Sequence, residues 1–212
     1  MKRALAVVAV LGVLGAGCRT AAVGPYSPPA AVVRSTSEAE RLTQLAGDLA
    51  EGNSGEAEVL LRQALTADLY HGPAHNNLGV LFLKAGKLYE ASVEFEWARK
   101  LMPGHPDPRT NLAITLERAG RTSEAIDAYR AALEVAPEDI SATQGIAMAT
   151  VRAGKDDPAL ARWLERIALA GENETWRGWA QTTSMRISDR AYHRGASNGN
   201  VPLGAGGSPT SH

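Results

Sequence analysis

Between about residue 38 and residue 194, apolar residues return three and four positions apart, which puts them on one face of an α-helix, and short polar stretches holding Gly or Pro separate the runs. One run carries Leu78, Gly79 and Phe82 and meets Gly86; the next carries Ala91, Phe95 and Ala98 and meets Pro103. Two such runs predict a helical hairpin. Gly86 ends the first helix as a left-handed glycine, and Pro103 stops the second. The pattern then repeats with Leu112, Ala113, Leu116, Gly120, Ala125, Tyr129, Ala132 and Pro137. Ala91 and Ala125 stand 34 apart, as do Ala98 and Ala132, Pro103 and Pro137, Asn77 and Asn111, and Leu78 and Leu112. Gly52, Gly86, Gly120 and Gly154 carry the same step through four copies. A period of this length marks stacked repeats, each burying its apolar face against its neighbours.

Small residues mark where helices cross closely, and Gly79, Ala91 and Ala98 fill that role, with Leu78, Phe82 and Phe95 supplying the bulk between them. On these residues the chain resembles the tetratricopeptide repeat (TPR) family of 34-residue helical hairpins. The resemblance implies an all-α fold, a right-handed superhelical solenoid of about four repeats at 38–71, 72–105, 106–139 and 140–173. The outer copies are looser. In the first, Gly52, Ala57, Leu61 and Ala64 fit, Leu69 stands where proline is expected, and Leu42, Leu45, Ala46 and Leu49 form one helix face about one residue out of register. In the fourth, Ile146, Ala147, Gly154, Ala159 and Trp163 fit, and Arg166 takes the place of a small residue. A capping helix is expected at 174–194, with Trp176, Trp179, Ala180, Thr183 and Ile187 on one face, and a disordered tail of Gly, Ser, Asn and Pro at 195–212.

The start of the chain follows a different pattern. Lys2 and Arg3 precede an apolar run from Ala4 to Leu14, and Gly15, Ala16, Gly17 and Cys18 follow. This predicts a secretory leader over 1–17, too short for a stable membrane span. Cys18, the single cysteine, resembles the lipidated cysteine of bacterial lipoproteins, although Gly15 stands where that motif prefers Leu. Ordinary leader cleavage with an inert thiol is the alternative. Residues 18–37, with Pro25, Pro28 and Pro29, read as a tether reaching at most roughly 60 Å at about 3.3 Å per residue. Lipidation implies a place in the bacterial envelope, facing the periplasm, and Arg19 in place of Asp favours the outer membrane over the inner.

Charge narrows the function further. The chain carries a formal net charge of −1, and removing Lys2 and Arg3 with the leader leaves 20 basic against 23 acidic residues, so no basic field for nucleic acid exists. One cysteine excludes an internal disulfide. His71 and His75 have the spacing of a helical metal pair, but Gly72 and Pro73 are expected to break a helix between them, and no Cys or acidic residue close in sequence completes a site. His71 and His105 read as turn residues one period apart. No phosphate-cradling glycine loop or serine elbow is present, so neither catalysis nor a cofactor or metal is expected. Phe95, Tyr129 and Trp163 recur at 34 and read as core, whereas Trp97 points away from that face.

The resemblance implies instead a concave groove lined by first helices that holds a partner's peptide or helix. Asn77 and Asn111 resemble the asparagine ladders by which some members hold peptide backbone, an amide offering both donor and acceptor; bonding between neighbouring helices is the competing role. Around them the groove takes in Asn76, Val80, Lys84, Thr110, Ile114, Glu117 and Arg118. The expectation is an envelope adaptor, in the manner of TPR lipoproteins that assist type IV or Flp pilus and secretin assembly, or of those that scaffold peptidoglycan hydrolases and synthases. A metal-dependent envelope enzyme is a weak third reading, and dimerisation through the end helices a further expectation.

Overall fold

A computed structural model describes residues 34–197, and side chains up to residue 193. The leader, Cys18, the tether up to residue 33 and the tail from residue 198 lie outside the described residues. Among those described, every element is helical and no strand occurs. The helices are α1 (Thr36–Leu49), α2 (Ser54–Ala67), α3 (Gly72–Lys84), α4 (Leu88–Leu101), α5 (Asp107–Arg118), α6 (Thr122–Val135), α7 (Ile140–Ala153), α8 (Leu160–Ala170) and α9 (Glu174–Ser197). They form four antiparallel hairpins and one further helix, the solenoid expected from the period.

The turns of the second, third and fourth hairpins share one construction. Gly86, Gly120 and Gly154 have φ of 75°, 76° and 62°, which a Cβ would strain. The amide after each glycine returns to the carbonyl four residues before it: Lys87 to Phe82 at 2.9 Å, Arg121 to Leu116 at 2.9 Å and Lys155 to Thr150 at 3.2 Å. These bonds satisfy helix carbonyls that would otherwise lack donors. The first hairpin turns differently: Asn53 accepts from the Glu56 amide at 3.2 Å and donates to the Glu56 carboxylate at 2.9 Å, capping α2.

Close crossings follow the small residues. Ala57, Ala91 and Ala125 are fully buried at one place in successive second helices, and Ala64, Ala98 and Ala132 at another. A Cβ on Gly79 would lie 2.7 Å from Phe95 Cε1, so the missing side chain is what lets a fully buried Phe95 ring cross α3. Burying such a ring contributes about 1.5–3 kcal/mol.

The first copy is one residue out of register, as its apolar pattern implied, and the fourth departs at its turn. Four residues, 50–53, separate α1 from α2, where three separate α3 from α4 and α5 from α6. The buried residues of α1 therefore match those of α3 at an interval of 35: Ala39 with Ala74, Thr43 with Leu78, Ala46 with Leu81. Leu45, expected on the apolar face, is 41% exposed. At the other end, residues 154–159 turn through Asp156, Asp157 and Pro158, and α8 starts late, with the Asp157 carboxylate accepting from the Ala159 amide at 2.8 Å. Leu164 and Ile167 are the buried residues there; Trp163 and Ala159 are only half-buried. Arg166 sends its guanidinium out to the Pro137 carbonyl and the Glu138 carboxylate.

The apolar interior has two parts. One runs from α1 to α7 through Leu61, Phe82, Phe95, Tyr129 and Ile146. The other holds Ala147, Leu164, Ile167 and Ala180, with Trp176 and Trp179 packed against it, so α9 covers α8 through Ala180 and Thr183. Ile187, expected on that covering face, is 38% exposed. No helix among the described residues is long and apolar enough to cross a membrane.

Candidate protein-binding groove

First helices touch first helices: α1 lies against α3, α3 against α5 and α5 against α7, giving one surface to the odd-numbered helices. Side chains join them across that surface at an interval of one repeat. Asn111 Nδ2 donates to Asn76 Oδ1 at 3.1 Å, and Asn76 Nδ2 donates to Asn77 Oδ1 at 3.5 Å. Arg118 donates to the Leu83 carbonyl at 3.3 Å, and Arg152 donates to Glu117 Oε1 at 2.6 Å. The other Glu117 oxygen accepts from the Tyr129 hydroxyl at 3.2 Å. Tyr129 belongs to a second helix and reaches Glu117 because Gly145 leaves the way open; a Cβ there would overlap the ring and lie 2.7 Å from the hydroxyl oxygen. Burial first, then the Glu117 charge and its hydrogen bond, pushes the Tyr129 phenol up from its ordinary pKa.

The groove residues expected from sequence thus divide. Asn76, Asn77, Asn111 and Glu117 are half-buried, and Asn76, Asn111 and Glu117 are bonded between helices. Val80 and Ile114 are half-buried against the core, while Lys84 and Arg118 are exposed. Thr110 is not a groove residue: it is 7% exposed and its hydroxyl donates to Asp139 at 3.4 Å. The ladder also links Asn111 to Asn76 and not to its equivalent, Asn77. Arg152 and Tyr129 join the site although composition does not single them out. The signal for Arg152 is its position 34 residues after Arg118; for Tyr129 it is the glycine at residue 145.

Beside this row lies a hollow of about 160 Å³ lined by Ala46, Gly47, Ala50 and Leu61 on one side and Asn77, Val80 and Leu81 on the other. Small residues in α1 create it, and a Cβ on Gly47 would meet nothing within 4 Å.

Gly72 and Pro73 do not break a helix between His71 and His75; Pro occupies the first turn of α3, where its missing N–H costs nothing, and His71 stands at the N-cap position without a side-chain capping bond. His75 Nδ1 lies 2.6 Å from Glu94 Oε2 and its Nε2 lies 2.9 Å from the Leu69 carbonyl oxygen. Trp97, 43% exposed, stacks on the His75 ring at 5.7 Å. Burial pushes His71 below the usual imidazole range. No group of three or more His, Cys, Asp or Glu side chains placed to hold a metal exists among the described residues.

The Protein kinase G tetratricopeptide repeat family matches residues 8–185. Among solved structures, "First TPR of Spaghetti (RPAP3) bound to HSP90 peptide SRMEEVD" superposes with a TM-score of 0.56 at 17% identity, covering 58% of this chain and 98% of that one. MamA matches at 0.56 and 23% identity, covering 60% and 77%. YrrB, described as a TPR protein with an unusual peptide-binding site, matches at 0.56 and 20% identity, covering 76% and 78%. At these identities the likeness is one of fold. No curated protein matches.

Proposed function

Because the chain belongs to the Protein kinase G tetratricopeptide repeat family, we propose that it is a protein-interaction scaffold whose odd-numbered helices hold a peptide segment of a partner. The observation that carries this is the hollow between α1 and α3, where small residues leave space beside the half-buried, amide-bearing Asn77. The hollow has room for an apolar side chain, and Asn77 offers an amide to the backbone on either side of it. Two structural neighbours are described by the peptides or peptide-binding site they carry, which supports the same use of the fold here.

The leader and Cys18 extend the proposal to a lipid-anchored adaptor of the bacterial envelope, working in type IV or Flp pilus and secretin assembly. Scaffolding of peptidoglycan hydrolases and synthases is the rival pathway, and the fold favours neither. The test is crosslinking in intact cells followed by mass spectrometry, comparing the native protein with Gly47→Leu, which fills the hollow, and with the Asn77→Ala, Asn111→Ala pair. Partners captured by the native chain and lost with Gly47→Leu support the groove. Partners kept by both variants sink it. Cys18→Ser should release the protein from membrane fractions; an unchanged membrane share would remove the lipid anchor from the reading.

A further inference from the structure

At the interval of 34 residues, equivalent places on the side of the second helices are filled differently. In the second repeat, Trp97 of α4 lies over the His75 ring of α3, with 5.7 Å between centroids and 15° between planes, and Glu94 holds His75 Nδ1 at 2.6 Å. One repeat on, Arg109 stands for His75, Ala128 for Glu94 and Ala131 for Trp97. The indole and the carboxylate have no counterpart there. A hollow of about 350 Å³ lies among Arg109, Leu112, Leu116, Ala128 and Ala131 instead, with Glu96 and Arg99 contributed by α4. Arg109, Leu112 and Leu116 lie on the face of α5 opposite Asn111 and Arg118, so this hollow is separate from the groove.

The charges around the hollow leave one group unmatched. Glu96 is paired with Arg99 at 2.6 Å, Glu124 with Arg121 at 2.6 Å and Asp127 with Arg130 at 3.4 Å. Arg109 is half-buried and, among the described residues, makes no ion pair; its Nη1 donates to the His105 carbonyl at 2.9 Å. Its helix does not explain it, because the first turn of α5 is where the dipole disfavours a cation. Nor does Arg109 have the carboxylate that contacts His75, since Ala128 replaces Glu94.

We propose that this hollow takes an aromatic side chain, tryptophan above all, presented by a partner protein, with the Arg109 guanidinium stacked beneath the ring as the His75 imidazole is beneath Trp97. The second repeat shows that an indole fits this place in the hairpin when the chain itself supplies one. A planar guanidinium stacks on aromatic faces and gains from the negative face of the ring, most with tryptophan. Leu112, Leu116 and the two alanine methyls give the ring an apolar floor, and ligand sites commonly enclose about 300–1,000 Å³. Aromatic anchors seated in pockets carry much of the energy of protein interfaces, so the second-helix side adds a contact point independent of the groove.

The probe is the capped peptide acetyl-Gly-Ser-Trp-Ser-Gly-amide, titrated into the isotope-labelled full chain and followed by amide chemical shifts. Saturable shifts should gather at Leu112, Leu116, Ala128 and Ala131, and the same peptide with Leu for Trp should bind at least about fivefold more weakly. Ala131→Trp supplies from the chain the ring that the second repeat already holds, and should abolish binding with helical circular dichroism intact. Arg109→Ala should weaken binding about fivefold, and Arg109→His, which restores the second repeat's pairing, should retain it. Gly47→Leu, which fills the groove hollow, should leave this binding unchanged, so the two sites stand or fall separately. Equal binding of the Trp and Leu peptides, binding undiminished by Arg109→Ala or by a folded Ala131→Trp, or shifts gathered elsewhere overturns the proposal. Free indole binding more tightly than the peptide also overturns it, assigning the hollow to a small aromatic molecule.

Discussion

Two side chains show how much one position can decide. Gly145 sits under the Tyr129 ring, so Gly145→Ala should lower stability by about 1–3 kcal/mol despite the better helix propensity of alanine. In a Tyr129→Leu background the penalty should disappear, a coupling that urea unfolding of the four proteins would measure. Asp68, only 1% exposed, accepts from Arg34 Nε at 2.8 Å and Nη2 at 3.0 Å, from the Thr36 hydroxyl at 3.0 Å and from the Tyr70 amide at 3.0 Å. The Arg34 hydrogen bond leads in holding its carboxyl down to about 2, against the opposing cost of burial. An unfolded aspartate titrates near about 3.9, so the folded chain binds fewer protons between the two values. The Asp68 contribution is therefore complete above about pH 4 and drains away as pH falls towards about 2. Urea midpoints of the native protein should fall more steeply across that window than those of Asp68→Asn.

At the scale of the element, the turns set the register and the glycines within them are not equivalent. Gly120→Ala forces alanine into a left-handed conformation and should cost about 1–2 kcal/mol. Gly52→Ala should be neutral or slightly stabilising, because Gly52 is not left-handed and its Cβ would meet open space. Thermal melts of the two variants, read side by side, check this. The same turns explain what the sequence reveals. The two central hairpins were legible in the sequence, since Gly79, Ala91, Ala98 and their equivalents repeat without insertion. One added residue in 50–53 and a slower turn at 154–159 moved Leu45, Trp163 and Ala159 out of their expected places while leaving the glycine interval intact. Bonding between neighbouring first helices was legible through Asn111, although its partner is Asn76 and not Asn77. The bonds of Arg152 and Tyr129 were not, because the reach of Arg152 to Glu117 and of Tyr129 through the gap at Gly145 depends on helix spacing, not on period.

Across the whole molecule, each hairpin is supported by its neighbours and not by a central core. The α8 and α9 end rests on a small cluster of Ala147, Leu164, Ile167 and Ala180, whereas α3 to α6 belong to the long interior around Phe95 and Tyr129. Amide exchange should therefore be fastest in α8 and α9 and slowest in α3 to α6; uniform protection along the stack would contradict this division. The Tyr129 hydroxyl also has an optical consequence. Tyr70, Tyr89 and Tyr192 face solvent, and Tyr129, 2% exposed, is the buried tyrosine among the described residues. Its phenol touches Glu117, which Arg152 holds from the groove side. Any occupant that draws Arg152 away would change the field on that phenol, so a near-ultraviolet difference signal lost in Tyr129→Phe would report, without a label, on filling of the proposed groove.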